Sequence, residues 1–371
     1  MRDLPEPLQQ VDRTCVMWRG RTLAYFGGCD YFRLSSHPAV VRALREAATE
    51  FGLNVAASRK TTGNHELHER LERELARFFG AEKAVLLPNG YVTNFAVAQA
   101  LEGEFTHVLV DERAHASLQD ATVVFVAKRI AFRHRDASDL ARVLQRIGRR
   151  ARVMLLTDGL FAHDGSIAPL AQYLEALPRS ARVLVDDAHG AGVLGRRGRG
   201  TPEHEGVGRE RVIQTVTLSK AFGGYGGAVL APREVIARIV ERSRLFTGST
   251  PLPLPLAAAA LASLEILRSD TSLRRRLEHA AFGVKKLLRT ALPDLPDNPS
   301  PILAVTPANE RHASRLKRVL LRAAIFPSFI QYPGGPESGY FRFALSSEHT
   351  AGQLAALARV LHYHGRHVEA H

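Results

Sequence analysis

Short apolar runs alternate with stretches of helical periodicity along most of this chain, and no other feature constrains the fold as much. The runs fall at residues 84–87, 108–110, 129–132, 153–156, 183–185, 212–218 and 228–230. Most are β-branched and unbroken, as strands covered on both faces must be. They predict an α/β protein built on one central, mainly parallel seven-stranded sheet. Helices fill the intervals. Pro38 suits a first helical turn and predicts a helix to about Phe51. Leu67, Leu71, Leu75 and Phe79 recur every four residues behind Asn64, which reads as the N-cap of an amphipathic helix.

The pattern changes after Pro251-Leu252-Pro253-Leu254-Pro255. Two helical stretches follow, one to about Arg268 and one over 272–288. Strands at 302–305, 325–329 and 340–345 then alternate with helices near 311–323 and 351–362. The expected organisation is an N-terminal segment (1–37), a large cofactor-binding domain (38–260), and linking helices with a small C-terminal α+β domain (261–371). A chain of 371 residues has room for two domains and a sizeable core.

Composition narrows the class. With 45% hydrophobic and 23% charged residues, the chain has neither the balance of a disordered protein nor an apolar run long enough to span a membrane. Residues 1–7 lack the basic-then-apolar pattern of a secretory leader, which predicts a cytoplasmic location. Cys15 and Cys29 are too few for a disulfide framework or a metal cage, and a reducing compartment is the simpler reading. The tail with His362, His364 and His367 reads as a frayed end, and no metal site is expected. A formal charge of +13 favours a polyanionic partner: nucleic acid, coenzyme A phosphates or an acidic carrier protein. The arginines are scattered in short groups without interleaved aromatics, so solvated surface is the bland alternative and nothing demands a nucleic acid.

In open α/β sheets ligands gather beyond the carboxyl ends of the strands. There this sequence is chemically loaded: Asp186-Asp187-Ala188-His189 follows one run, Ser219-Lys220 another, Asn89-Gly90-Tyr91 a third, and Asp111 with His115 a fourth. One aldehyde cofactor, pyridoxal 5'-phosphate (PLP), accounts for all four. It needs a lysine for its imine, an acid opposite its pyridine nitrogen and donors around its phosphate. Lys220 can supply the imine, because a lysine closing an apolar strand ahead of a glycine cluster is out of place on a solvated face. Asp186 would face the ring nitrogen and His189 the ring hydroxyl, the alternative being a structural Asp–His pair. Asn89, Gly90 and Tyr91 open a helix whose free amides suit a phosphate, with Thr217 adding a hydroxyl; read alone, Asn-Gly is only a turn. His115 could lie over the ring. Gly223-Gly224-Tyr225-Gly226-Gly227 is not a Walker loop, since the lysine precedes the glycines, and no Gly-x-Ser-x-Gly elbow appears.

These residues resemble the α-oxoamine synthases of PLP-dependent fold type I, over about residues 27–349. Ser58-Arg59 with Gly63, His68, Leu71 and Glu72 is similar to the family's Ser-Arg…Gly…His…Leu-Glu stretch, and Asn89-Gly90-Tyr91-Val92-Thr93-Asn94 to its Ser-Gly-Tyr-x-Ala-Asn segment. Asp186-Asp187-Ala188-His189-Gly190, Thr217-Leu218-Ser219-Lys220, and Phe341-Arg342-Phe343 with His349 match its other signatures. The resemblance implies Lys220 as Schiff-base lysine and proton shuttle, Asp186 as pyridinium partner, His189 on the ring hydroxyl and His115 as stacking imidazole. It also implies Arg342 as clamp for an amino-acid carboxylate. A homodimer with shared active sites is implied, with Ser249 or Thr250 reaching the neighbouring subunit's phosphate.

The implied reaction is decarboxylative condensation of a small amino acid with an acyl thioester, carried on coenzyme A or an acyl carrier protein, to give an α-amino ketone. The chain departs from the family at Cys29, where Asn is usual, and at Ala162, where Ser is frequent; both positions lie near the acyl-donor end of the family's site. Rival readings are a ligase making 2-amino-3-oxobutyrate, an aminotransferase on the same fold and, more distantly, a basic nucleic-acid binder without catalysis.

Overall fold

The computed structural model describes residues 5–331, 336 and 338–365. The chain divides into two compact units, one of Leu34–Phe161 with Ile167–Thr271, the other of Met1–Arg33 with Ala162–Ser166 and Ser272–His371.

The first strands are β1 (Gln9–Gln10), β2 (Cys15–Trp18) and β3 (Arg21–Ala24), an antiparallel sheet within a region read from sequence only as a segment. Strands of two to four residues with mixed polarity leave too short an alternation to read.

The central sheet contains β4 (Lys83–Leu87), β5 (His107–Asp111), β6 (Lys128–Phe132), β7 (Val153–Asp158), β8 (Arg182–Asp186), β9 (Val212–Thr217) and β10 (Gly227–Ala231). Its order is β4-β10-β9-β8-β7-β5-β6. All expected runs are strands, and only β10 runs against its neighbours. The sheet is buried on both faces because alternate residues feed two cores. Met154 and Leu156 join Val108, Val110, Leu184 and Ile213 under the helices Gly90–Ala100 and Arg233–Arg242. Val153 and Leu155 join Leu109, Val183 and Val185 under Ala137–Ile147 and Leu170–Ala176. Each fully buried side chain of this kind contributes roughly 1.5–3 kcal/mol. The chain adds β6 on one side of β5 and then crosses to β7 on the other, so the crevice at these strand ends is the position where such sheets collect ligands.

The helix Glu66–Phe79 starts one residue later than expected. His65, not Asn64, is its N-cap and accepts from the Leu67 amide through Nδ1 at 3.1 Å. Asn64 is committed elsewhere, accepting from Arg59 Nε at 3.0 Å and donating to Glu69 at 2.8 Å.

In the other unit β11 (Ile302–Val305), β12 (Phe329–Ile330) and β13 (Tyr340–Ala344) form an antiparallel sheet with β13 in the centre. Of the strand expected over 325–329, Ile325 makes an isolated parallel bridge to Ala24, Pro327 has no amide to give a ladder, and pairing with β13 begins at Phe329. The helix Ala351–His364 opens with a capping box between Thr350 and Gln353 and runs two residues past its expected end. Arg366 and His367 of the histidine-rich tail lie outside the described residues. Among the described residues no helix is long and apolar enough to cross a membrane, and no group of three metal-ligating side chains occurs.

Candidate active site

The carboxyl ends of β5, β7, β8 and β9 and the turn after β4 bring together most of the residues singled out in the sequence. Asp186 closes β8, 7% exposed, and is held from three directions. Asn94 Nδ2 donates to its Oδ2 at 2.7 Å, Ser117 Oγ donates to the same oxygen at 3.3 Å, and the Ala188 amide donates to Oδ1 at 3.1 Å. Asn94 is itself oriented by Thr215 of β9, whose Oγ1 donates to its Oδ1 at 2.8 Å. A carboxylate with this many donors is fixed in direction as well as place.

The half-buried Lys220 follows β9, and its Nζ lies 2.7 Å from Nε2 of the buried His189. The Lys220 turn is tight: Leu218 and Gly226 pair across it, and Gly223 packs so closely on Leu34 and Ser35 that a Cβ would sit 2.2 Å from the Ser35 nitrogen. With φ of +59°, Gly223 is also the residue type this turn requires.

His115 follows β5 and caps the short helix Ala116–Ala121, its Nδ1 2.8 Å from Ser117 Oγ. Its own amide donates to Asp158 Oδ2 at 2.7 Å. Burial lowers the imidazole's proton affinity; the nearby Asp186 opposes that shift and Lys220 reinforces it. Asp158 ends β7 in register with Asp186 of β8. Burial, then the charge of Asp186, pushes its carboxyl well above the ordinary range. A negative charge on Asp158 beside Asp186 is therefore disfavoured.

The turn after β4 brings a helix start against the end of β9. Asn89 caps Gly90–Ala100 by accepting from the Val92 amide at 3.1 Å. A Cβ on Gly90 would lie 2.7 Å from Thr217 Cβ, so only glycine lets the helix start approach β9 this closely. Thr217 Oγ1 lies 2.8 Å from Ser219 Oγ. Tyr91 is 45% exposed, donates to Asp120 at 2.6 Å and meets the His115 ring edge-to-face at 6.3 Å.

Ser249 and Arg342, also expected, are described by their own surroundings. Ser249 spends its hydroxyl on the Leu245 carbonyl at 2.6 Å, whereas Thr250 is exposed. Arg342 belongs to the other unit, at the centre of β13 between Phe341 and Phe343, whose rings are fully buried. Its Nη2 is 4.0 Å from Cys29 Sγ, and its Nε is buried without a hydrogen-bond partner. His349 packs on Phe26 with ring centroids 4.1 Å apart and accepts from the Ser346 amide at 2.9 Å; burial lowers its pKa to about 3, which makes it a neutral structural residue.

Asn94, Ser117, Thr215 and Asp158 were not among the expected site residues. Asp158 follows the 153–156 run and obeys the strand-end rule that found the others. Asn94 closes the segment similar to the family's Ser-Gly-Tyr-x-Ala-Asn stretch, but its reach to Asp186 comes from being a fully buried amide on an apolar helix, which the residues alone do not disclose.

The sheet order, the lysine against an imidazole and the anchored acid define a transferase of PLP-dependent fold type I. The chain belongs to the class I and II aminotransferase family, whose profile matches residues 26–361. It is 36% identical over 345 residues to an 8-amino-7-oxononanoate synthase of Thioalkalivibrio sulfidiphilus, covering 92% of this chain and 88% of that protein. The synthase of Geobacter sulfurreducens is 36% identical over 354 residues, covering 93% and 90%. Among solved structures, serine palmitoyltransferase of Sphingomonas wittichii superposes with a TM-score of 0.89 at 27% identity, covering 96% and 90%. The 8-amino-7-oxononanoate synthase of Francisella tularensis gives 0.80 at 26%, covering 92% and 97%.

Proposed function

We propose that this enzyme condenses a small amino acid with an acyl thioester, with loss of carbon dioxide, to give an α-amino ketone and a free thiol. The observation that carries this reading is the strand-end constellation of Lys220, His189 and anchored Asp186 in a chain similar to 8-amino-7-oxononanoate synthases over nearly its whole length. The cofactor is PLP, and the donor set fits it: a lysine amine beside an imidazole, a fixed carboxylate, and a helix start whose glycine lets it lie against Thr217. When bound, PLP supplies an electron sink that stabilises negative charge at the amino acid's α-carbon.

Each residue has a distinct task. Lys220 Nζ holds the cofactor and moves the α-proton, with His189 Nε2 as its hydrogen-bond partner. Asp186, aimed by Asn94, would face the ring nitrogen and favour its protonated form. His189 also contacts the ring hydroxyl. His115, kept neutral by burial, covers the ring face without adding positive charge. Asn89, Gly90, Tyr91 and Thr217 take the phosphate through backbone amides and hydroxyls. Arg342, with its unpartnered Nε, binds the substrate carboxylate as a planar fork. The enzyme works as a cytoplasmic homodimer, with Ser249 or Thr250 completing the partner's phosphate site. The chain's +13 charge attracts coenzyme A phosphates or an acidic acyl carrier protein.

Purified enzyme with PLP, mixed with alanine, glycine or serine and a panel of acyl thioesters on coenzyme A or carrier protein, is expected to release free thiol with one pairing. Serine belongs in the panel because of the serine palmitoyltransferase likeness. Absence of thiol release from every pairing rejects the condensing role; keto acid formation without thiol release assigns transamination instead.

A further inference from the structure

The stretch Ser58-Arg59…His68…Glu72 is the one sequence signature with no task in the chemistry above, and its side chains tie it to several other segments. Ser58 Oγ donates to the Thr247 carbonyl at 2.6 Å. His68, with no exposed surface, places Nε2 2.7 Å from the Leu252 carbonyl. A nitrogen facing a carbonyl must carry the proton, and burial together with nearby Arg59 keeps the ring neutral. Its Nδ1 is buried without a hydrogen-bond partner, so this ring is committed to one contact. Arg59 forks onto Glu72 through Nη1 and Nη2 and lies over the Phe246 ring at 5.6 Å. Glu72 Oε1 in turn accepts from the Leu86 amide of β4 at 2.9 Å.

The Glu72 and His68 contacts lead to the two walls that meet at Gly90. Leu86 is followed within β4 by Leu87 and then by the Asn89–Gly90 turn. Leu252 packs on the turn after β9: a Cβ on Gly226 would lie 3.0 Å from Leu252 Cδ1 and 3.5 Å from Leu218 Cδ1, and Gly226 pairs with Leu218. The walls themselves meet where Gly90 touches Thr217.

We propose that Ser58, Arg59, His68 and Glu72 form a clamp that sets the spacing between the Asn89–Gly90 helix start and the Thr217–Ser219 turn, and so determines how tightly the cofactor's phosphate is held. His68 is a positioning residue in this arrangement and touches no reacting atom. The proposal rests on the reading that Asn89, Gly90 and Thr217 take the phosphate.

The test compares PLP with pyridoxal, which keeps the aldehyde and lacks the phosphate, by following the absorbance of the lysine-bound form on cofactor-depleted enzyme. His68→Ala and Ser58→Ala are expected to weaken PLP binding about tenfold or more, as small misplacements of a preorganised site do, and to leave pyridoxal binding unchanged. His68→Gln retains an N–H for the Leu252 carbonyl and is expected to recover most of the loss. Inorganic phosphate is expected to compete with PLP on the wild type and less well on His68→Ala. Unchanged PLP affinity in folded His68→Ala and Ser58→Ala overturns the clamp, and so does an equal loss of PLP and pyridoxal, which marks a general structural role. If His68→Ala does not fold, the same PLP-to-pyridoxal ratio in Ser58→Ala and Glu72→Gln decides. A wild type that binds the two compounds equally removes the phosphate reading instead.

Discussion

Asp186 and Asp187 are adjacent in the chain and both buried, yet their surroundings differ in kind. Asp186 takes its donors from Asn94 and Ser117, side chains on two separate helices, and its neighbourhood continues to His115 and Asp158. Asp187 is enclosed by backbone and neutral groups: the Thr201 amide at 2.9 Å, Thr201 Oγ1 at 2.6 Å and Gln214 Nε2 at 2.6 Å. Glycines pack against it so tightly that a Cβ on Gly159, Gly190 or Gly200 would fall 2.4, 2.1 or 1.8 Å from its oxygens. A carboxylate lined by glycine and satisfied locally holds the fold together. One held by side chains that also serve an imidazole and face a second acid is arranged for chemistry.

The comparison can be broken most sharply at Asp186. Asp186→Ala is expected to lower the rate of thiol release on the order of a thousandfold while shifting the unfolding midpoint by only a few degrees. A large loss of stability with a modest loss of rate would reverse the assignment of the two acids. Asp187→Ala should do the opposite, since it strands three buried donors; about 3 kcal/mol or more of stability in urea is expected to go. Gly190→Ala forces a methyl into the Asp187 oxygens and is expected to remove about 2 kcal/mol by the same measurement.

A smaller effect sharpens the contrast through pH. Burial pushes the Asp187 carboxyl up from 3.8 to about 7, so the native state binds this proton more tightly than the unfolded chain. Its contribution to stability is complete below pH 3.8, is lost as pH rises towards about 7, and is level above that. Urea midpoints across this window in wild type and Asp187→Asn are expected to show the slope in the first and its removal in the second. Tyr91→Phe gives the smallest change: removing the exposed tyrosine's hydrogen bond to Asp120 is expected to alter stability by less than about 1 kcal/mol.

The same two residues show what a single sequence discloses. Apolar runs located every strand of the central sheet, and the residues that follow them located Asp186, His189, Lys220 and His115, because strand ends are fixed by local pattern. The strand end and the family resemblance single out Asp186 over Asp187, but the different surroundings of the two acids depend on Asn94, 92 residues away in the chain, and on Thr201 and the glycines. Asp158 was accessible to the strand-end rule, whereas Ser117 and Thr215 gain their roles only from packing. The mixed-polarity β1–β3 sheet and the pairing shift at Pro327 lie where local pattern is weakest, in strands a few residues long.

Because β10 runs antiparallel to β9 with Thr217 opposite Gly227, Lys220 sits on the crossbar of a hairpin whose two feet are the two sides of one rung of the ladder. A lysine on a connection that wandered off to a distant helix would swing with that helix. Here the amine's reach is set by its own four methylenes and by His189 beside it, so the nitrogen proposed to hold the cofactor extends from a post pinned at both feet, and adapting the enzyme to a longer or shorter acyl chain leaves this post where it stands.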